Sequence, residues 1–192
     1  MKKLFLSILV CLIASMGFKV SAQELSPERK QAIDSLALEK VHDLSKYVKI
    51  VGSKDTPFSE ANRVIERAEE LFAPDAEIGV SSINTNEVAY YKVRKYLERL
   101  MRLNYDRVEI DWYKIEYVSD LQRQPDGTYV GVITIFQTFK GYDAEGRLVY
   151  QDTTKKDITV YVKRKETQIN GRLIGFWDVL LGDMRVKETT HK

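Results

Sequence analysis

Three glycine-centred turn signals punctuate the second half of the chain, and they limit its fold more than any other feature. "QPDGT" (124–128), "YDAEGR" (142–147) and "INGR" (169–172) each place a glycine where a tight turn needs a positive φ angle. They divide residues 106–187 into four consecutive strands. Connections this short join antiparallel neighbours, so this half reads as a meander. Stretches such as "YVGVITIFQTFKG" (129–141) are much longer than the usual five or six residues or so of a strand, and strands of that length twist and curl. Gly131 and Gly175 are the expected bulge points.

The first half carries helical periodicity. Ser26-Pro27-Glu28 reads as an N-cap, a proline in the first turn and an acid that favours the helix dipole. Ile33, Leu36, Val41, Leu44, Val48 and Val51 recur at near-helical spacing until the "GSKDTP" run. Thr56-Pro57 opens a second helix whose stripe is Phe58, Ala61, Ile65, Ala68 and Phe72. Pro74 stops it, because the proline ring collides with the preceding turn. "AEIGVSS" (76–82) then alternates as a short strand should, and Asn84-Thr85-Asn86 is turn chemistry. "EVAYY" fits either a second short strand or the start of the next helix. From Val93 the stripe resumes through Leu97, Leu100 and Leu103, and Asn104 closes it.

At the start, Lys2 and Lys3 precede an uncharged run of 15 residues, Leu4 to Phe18, and Val20-Ser21-Ala22 presents small residues for cleavage after Ala22. This is the pattern of an export leader, and the run is shorter than the roughly 20 apolar residues that cross a bilayer. The expectation is an exported protein, periplasmic or secreted, with no membrane-spanning segment in the mature chain. The formal charge of +2 then loses its meaning: taking away Lys2, Lys3 and Lys19 leaves 27 of the 30 bases against 28 acids. A near-neutral chain gives no reason to expect nucleic acid. The single cysteine, Cys11, leaves with the leader, and His42 and His191 stand apart, so neither a zinc site nor a thiol nucleophile is expected. No metal or other cofactor is anticipated.

Helices, a short strand at "LFAPDAEIGVSS" (71–82), a third helix and a long curled meander together resemble the NTF2-like (SnoaL-like) family. The resemblance implies an α+β cone, three N-terminal helices packed in a curved, mainly antiparallel sheet. The implied organisation is a leader over 1–22, an N-terminal helix and linker over 23–55, and the NTF2-like domain over 56–192, the first helix joining it in one structural domain. It also implies a concave pocket at the cone's open end. A loose match of "QTFKG" (137–141) to the cystatin hairpin is weaker, because three candidate helices stand where a cystatin has one.

The resemblance implies, for the enzymes of this family, an Asp or His base in the cone with a tyrosine or a second Asp as donor; the isomerase among them is a known case of a carboxylic acid held neutral. Asp178, in "GFWDVLLGD", has apolar neighbours on both faces of its strand. Asp111 lies on "VEIDWYKIEYV", where Val108, Ile110 and Trp112 read as inward and Glu109, Asp111, Tyr113 and Tyr117 as outward. No motif carries catalytic residues over, so Asp178 and Asp111 are weak catalytic candidates, and Trp177, Asp178, Gln137 and Tyr113 are the ligand-binding candidates. The leading expectation is a non-catalytic exported module binding a small apolar ligand or a protein partner, with the outer sheet face as a homodimer surface. The alternatives are an isomerase or hydro-lyase with an Asp base in the cone, and a structural protein of the cell envelope.

Overall fold

The computed structural model describes residues 25–82, 85–117 and 119–190. The leader with its cleavage point and Cys11, the turn residue Asn84, and His191 lie outside the described residues.

Helix α1 (Pro27–Gly52) starts where the cap signal places it, with the Ser26 hydroxyl accepting from the Arg29 amide at 3.4 Å. It buries Ile33, Ala37, Val41, Leu44, Val48 and Val51, but Ala37 replaces Leu36, which stays exposed. Helix α2 (Phe58–Glu69) buries Ala61, Val64, Ile65 and Ala68, while Phe58 at its first turn points to solvent. Helix α3 (Val93–Met101) buries Val93, Tyr96, Leu97 and Leu100.

The strands are β1 (Glu77–Ser82), β2 (Thr85–Lys92), β3 (Arg107–Tyr117), the two-residue β4 (Gln122–Arg123), β5 (Tyr129–Tyr142), β6 (Leu148–Ile169) and β7 (Arg172–Thr190). "EVAYY" is therefore strand, paired antiparallel to β1. The sheet order is β2-β1-β7-β6-β5-β3, with β4 on β5. Every pairing is antiparallel except β1 with β7. The result is an α+β fold with the element order of the NTF2-like cone. The three turns behave as the sequence requires: Gly127, Gly146 and Gly171 have φ of 84°, 77° and 78°, and Asn170 joins Gly171 at 50°.

The crossing from helix to sheet comes before Pro74: α2 ends at Glu69, and Phe72, expected in its stripe, is instead bridged to Leu181 of β7. The Leu181 amide donates to the Leu71 carbonyl at 2.8 Å and the Ala73 amide to the Leu181 carbonyl at 2.6 Å, so the chain is clamped to β7 before β1 begins. Asp75, at φ 64°, makes the turn between them. The first short strand thus joins the sheet on β7, its partner made from the last residues of the chain, and β2 becomes the outer edge.

Curvature comes from register shifts, and these do not fall at Gly131 or Gly175. They lie at Val80/Ser82 where β1 meets β2, at Trp112/Lys114 in β3, at Gly141/Tyr142 where β5 meets β6, and at two places where β6 meets β7. A bulge bends and twists the strand that carries it, which is how a long antiparallel sheet closes around helices. The shift in β3 also resets its faces: Ile110 and Trp112 pack inward before it, and Ile115 after it. Beyond the pair Tyr129 and Val162, β5 ends and β6 and β7 continue alone as a two-stranded ribbon.

Candidate functional site

Strand β6 presents one unbroken alternation to the inside of the cone: Asp152, Thr154, Lys156, Ile158, Val160 and Val162 are all buried. The last three are ordinary core. The first three put an acid, a hydroxyl and a base on the same inward face, where α3 does not fill the sheet. A cavity of about 240 Å³ lies there. Tyr96, Arg99 and Leu100 of α3 form one wall; Ile110, Gln137 and Phe139 of β3 and β5 form the other, with β6 as floor. Val80 and Ser81 of β1 and Leu103 and Tyr105 after α3 complete the rim.

Each polar group has a defined state. The Tyr150 hydroxyl donates to Asp152 Oδ2 at 2.7 Å. Burial pushes the Asp152 carboxyl above the usual aspartate range, and the Tyr150 hydrogen bond, the Lys156 charge and the Thr154 hydroxyl oppose that rise. Burial depresses the Lys156 ammonium to about 8, and the Asp152 charge only partly offsets it. The Lys156 Nζ lies 5.8 Å from the centroid of the Tyr96 ring, a cation–π distance. The Tyr96 phenol is pushed up to about 12, by burial first and the Asp152 charge second. The Gln137 carbonyl accepts from Trp112 Nε1 at 3.1 Å, an arrangement that turns its amide nitrogen away from the indole.

An aromatic rim surrounds the acid. Phe139 packs edge-on against Tyr150 at 5.7 Å between ring centroids, and Tyr105 leans on Phe139 at 5.8 Å. Tyr105 reaches that place because residue 141 is glycine: a Cβ there would sit 2.6 Å from the Tyr105 ring. Two other depressions, beside Pro74 and beside the turn at 124–128, are surface grooves that gather no buried titratable pair.

Among the residues singled out in the sequence, Gln137 lines the cavity. Asp178 stands outside its lining, on β7 where the ribbon leaves the sheet, paired with Lys165 at 2.5 Å. Trp177 is half-buried and meets Tyr129 edge-on at 5.8 Å. Asp111 is an exposed partner of Lys49 at 2.7 Å. Tyr113 lies on the outer sheet face against Phe136 at 6.0 Å, with the Lys114 ammonium over the Phe136 ring. The cavity lining also holds a hydrogen-bonded hydroxyl and acid, Tyr150 and Asp152, that were not among the residues singled out in the sequence. These residues do not stand out in "YQDTTKKDITVYV" (150–162), because charge falls on both faces of the strand. The usable signal is parity: Asp152, Thr154 and Lys156 are in step with Ile158, Val160 and Val162.

Among the described residues no group of three or more His, Cys, Asp or Glu side chains is arranged to hold a metal ion, and no helix is long and apolar enough to cross a membrane.

No family model matches the chain, and no curated protein matches it. Solved structures similar to it include the following two. One is a scytalone dehydratase-like protein from Novosphingobium aromaticivorans DSM 12444, at 14% identity and a TM-score of 0.42, over 84% of this chain and 89% of that one. The other is a hexachlorocyclohexane dehydrochlorinase, LinA type 2, at 15% identity and a TM-score of 0.38, over 83% of this chain and 91% of that one. The chain's own strand order, with the β1–β2 hairpin joined in parallel to β7 and three helices packed on the sheet, makes an α+β architecture that resembles the NTF2-like cone.

Proposed function

We propose that the protein binds a small organic molecule in the cone, mostly apolar, with one polar head group. The carrying observation is that an acid and a base, both buried, share a cavity whose remaining walls are largely aliphatic and aromatic. Burying charge without a stabilising role is costly, and concave apolar sites with a few convergent polar groups are the usual ligand sites. At about 240 Å³ the space exceeds the roughly 150 Å³ that accepts benzene, so a monocyclic or short-chain compound is the right size. The supporting experiment is calorimetric titration with 2-phenylethanol and hexanol. Saturable binding that disappears when the rim residue Leu103 is changed to Trp supports the reading; no binding to the wild type removes it.

A second reading is favoured by one feature, the Tyr150 hydroxyl on Asp152. In it the protein is an isomerase or hydro-lyase with Asp152 as the proton acceptor, in place of Asp178 or Asp111. It needs Asp152 to exchange a proton with a bound carbon acid or alcohol, so an Asp152 that titrates in the ordinary carboxylate range by ¹³C NMR would remove it. Both readings take residues 1–22 as an export leader, on the strength of their charge and apolar pattern. The outer face around Tyr113 and Phe136 remains the proposed homodimer surface.

A further inference from the structure

We propose that the head group is a carboxylate and that Lys156 receives it, which makes the occupant a short-chain or monocyclic carboxylic acid. The inference rests on the cavity being a ligand site and goes beyond it by naming the ligand class. Lys156 is only 3% exposed, yet among the described residues no carboxylate oxygen lies within 4.0 Å of its ammonium. Its contact is the Tyr96 ring, whose quadrupole attracts a cation and does not neutralise it. Asp152 favours the ammonium only from a distance and makes no direct ion pair with it. It lies four residues along the same extended strand, about 13 Å away between Cα atoms at the usual rise per residue, and Tyr150 occupies one of its oxygens.

The charges of the lining point the same way. Arg99 and Lys156 oppose Asp152 alone, so the cavity carries one positive charge in excess. Arg99 is turned toward the rim, its guanidinium 4.5 Å from the centroid of the Tyr91 ring. One compact anion balances that excess. A phosphate monoester would bring a second negative charge into a space that already holds Asp152. The apolar part of the acid then lies along Leu100, Ile110 and Phe139, and Asp152 keeps the carboxylate at the Lys156 end by like-charge repulsion.

The test pairs each acid with its isosteric alcohol: phenylacetate with 2-phenylethanol, and hexanoate with hexanol, measured by isothermal titration calorimetry at pH 7 and pH 9. The wild type should bind each acid at least about tenfold more tightly than its alcohol at pH 7. Between pH 7 and pH 9 acid affinity should fall by about tenfold as Lys156 loses its proton, while alcohol affinity stays level. The other titratable groups facing the cavity are Tyr96 and Tyr105, both held above the ordinary tyrosine range, Arg99, Tyr150 and Asp152. Lys156→Met should lose the preference for acids over their alcohols. Equal binding of acid and alcohol by the wild type, or an acid preference that survives in Lys156→Met, overturns the proposal and leaves the ligand-site reading intact. Failure of all four compounds removes that reading as well. Should Lys156→Met not fold, the pH series on the wild type decides alone: an acid-to-alcohol ratio unchanged between pH 7 and pH 9 overturns the proposal.

Discussion

The Tyr150 hydroxyl donates to Asp152 Oδ2 at 2.7 Å from two positions away on β6, so donor and acceptor share one face and are locked in relative position by the strand itself. A hydrogen bond to an ionised carboxylate favours the charged form. Tyr150→Phe should therefore raise the Asp152 pKa further, since burial already pushes it up and the largest opposing influence is gone. Side-chain ¹³C chemical shifts followed through a pH titration report this directly. A midpoint that stays put or falls would mean the hydroxyl does not donate to the carboxylate. The same reasoning gives a sign for stability. A carboxyl whose folded pKa lies above its unfolded value stabilises the fold at low pH, and that contribution is lost as pH rises through the folded pKa. Asp152→Asn should thus unfold at higher denaturant concentration than wild type at pH 7, with the gain vanishing toward pH 3.

Lys156 gives the opposite window. Its folded pKa of about 8 lies below the 10.5 of an unperturbed lysine, so the folded state disfavours the charge. The contribution to stability is complete above pH 10.5 and is lost as pH falls through about 8. At pH 7 the penalty is about 3 kcal/mol, the free energy of a shift of that size. Lys156→Met should therefore be the more stable protein at pH 7 by roughly 2–3 kcal/mol, with the difference shrinking steadily between pH 8 and pH 10.5. Urea unfolding at pH 7 and pH 10 measures it. A variant less stable than wild type at pH 7 would show that the ammonium is better solvated than its burial indicates. A stability gain from deleting a buried charge is the mark of a group kept for binding, because packing alone would favour the methionine.

The place of Tyr105 over the cavity depends on the missing side chain at residue 141. A Cβ on Gly141 would stand 2.6 Å from two ring atoms of Tyr105, so either the ring or strand β5 must move. Gly141→Ala should cost about 1–3 kcal/mol, the usual range for overpacking. Most of that cost should disappear in a Tyr105→Ala background, where nothing remains to collide. A double-mutant cycle by thermal unfolding gives the coupling. Additive costs in the cycle would mean that the glycine serves the bulge at Gly141/Tyr142 in the strand pairing and not the ring.

The parts of the fold that are legible in the sequence are those set by single residues with narrow backbone preferences. Gly127, Gly146 and the pair Asn170-Gly171 make the turns because few residues tolerate positive φ, and they fix four long strands between them. Pro74 is a poorer guide: α2 already ends at Glu69, and Leu71 and Phe72 are paired to Leu181 before the proline is reached. The cavity is another matter. Asp152 and Lys156 are surrounded by Gln151, Lys155 and Asp157, so the strand looks solvated on both faces until the position of Ile158 and Val160 against the helices is known. Asp178 misleads in the opposite sense. Its neighbours Ile174 and Phe176 look like core, but the ribbon has by then left the sheet and they are exposed. Bulges in β3 and between β6 and β7 shift the faces without any residue that announces them.

Asp178 supplies a contrast with the cavity acid. Its carboxylate meets Lys165 at 2.5 Å across the β6–β7 ribbon, two residues along β6 from its direct partner Lys163. The lysine side chain is 51% exposed and the carboxylate 22%, so water screens the pair and either partner can be solvated when the other is removed. Exposed ion pairs contribute little, and Asp178→Asn should change stability by less than about 1 kcal/mol. It should also leave the affinity for 2-phenylethanol unchanged, because Asp178 does not line the cavity. Asp152→Asn should behave differently on both counts, shifting stability with pH and altering binding. Calorimetry and denaturant unfolding on the two variants side by side separate the acid inside the cone from the acid on the ribbon. If the Asp178 variant proves the one that abolishes binding, the ligand enters by the ribbon and the cavity beneath α3 is not the site.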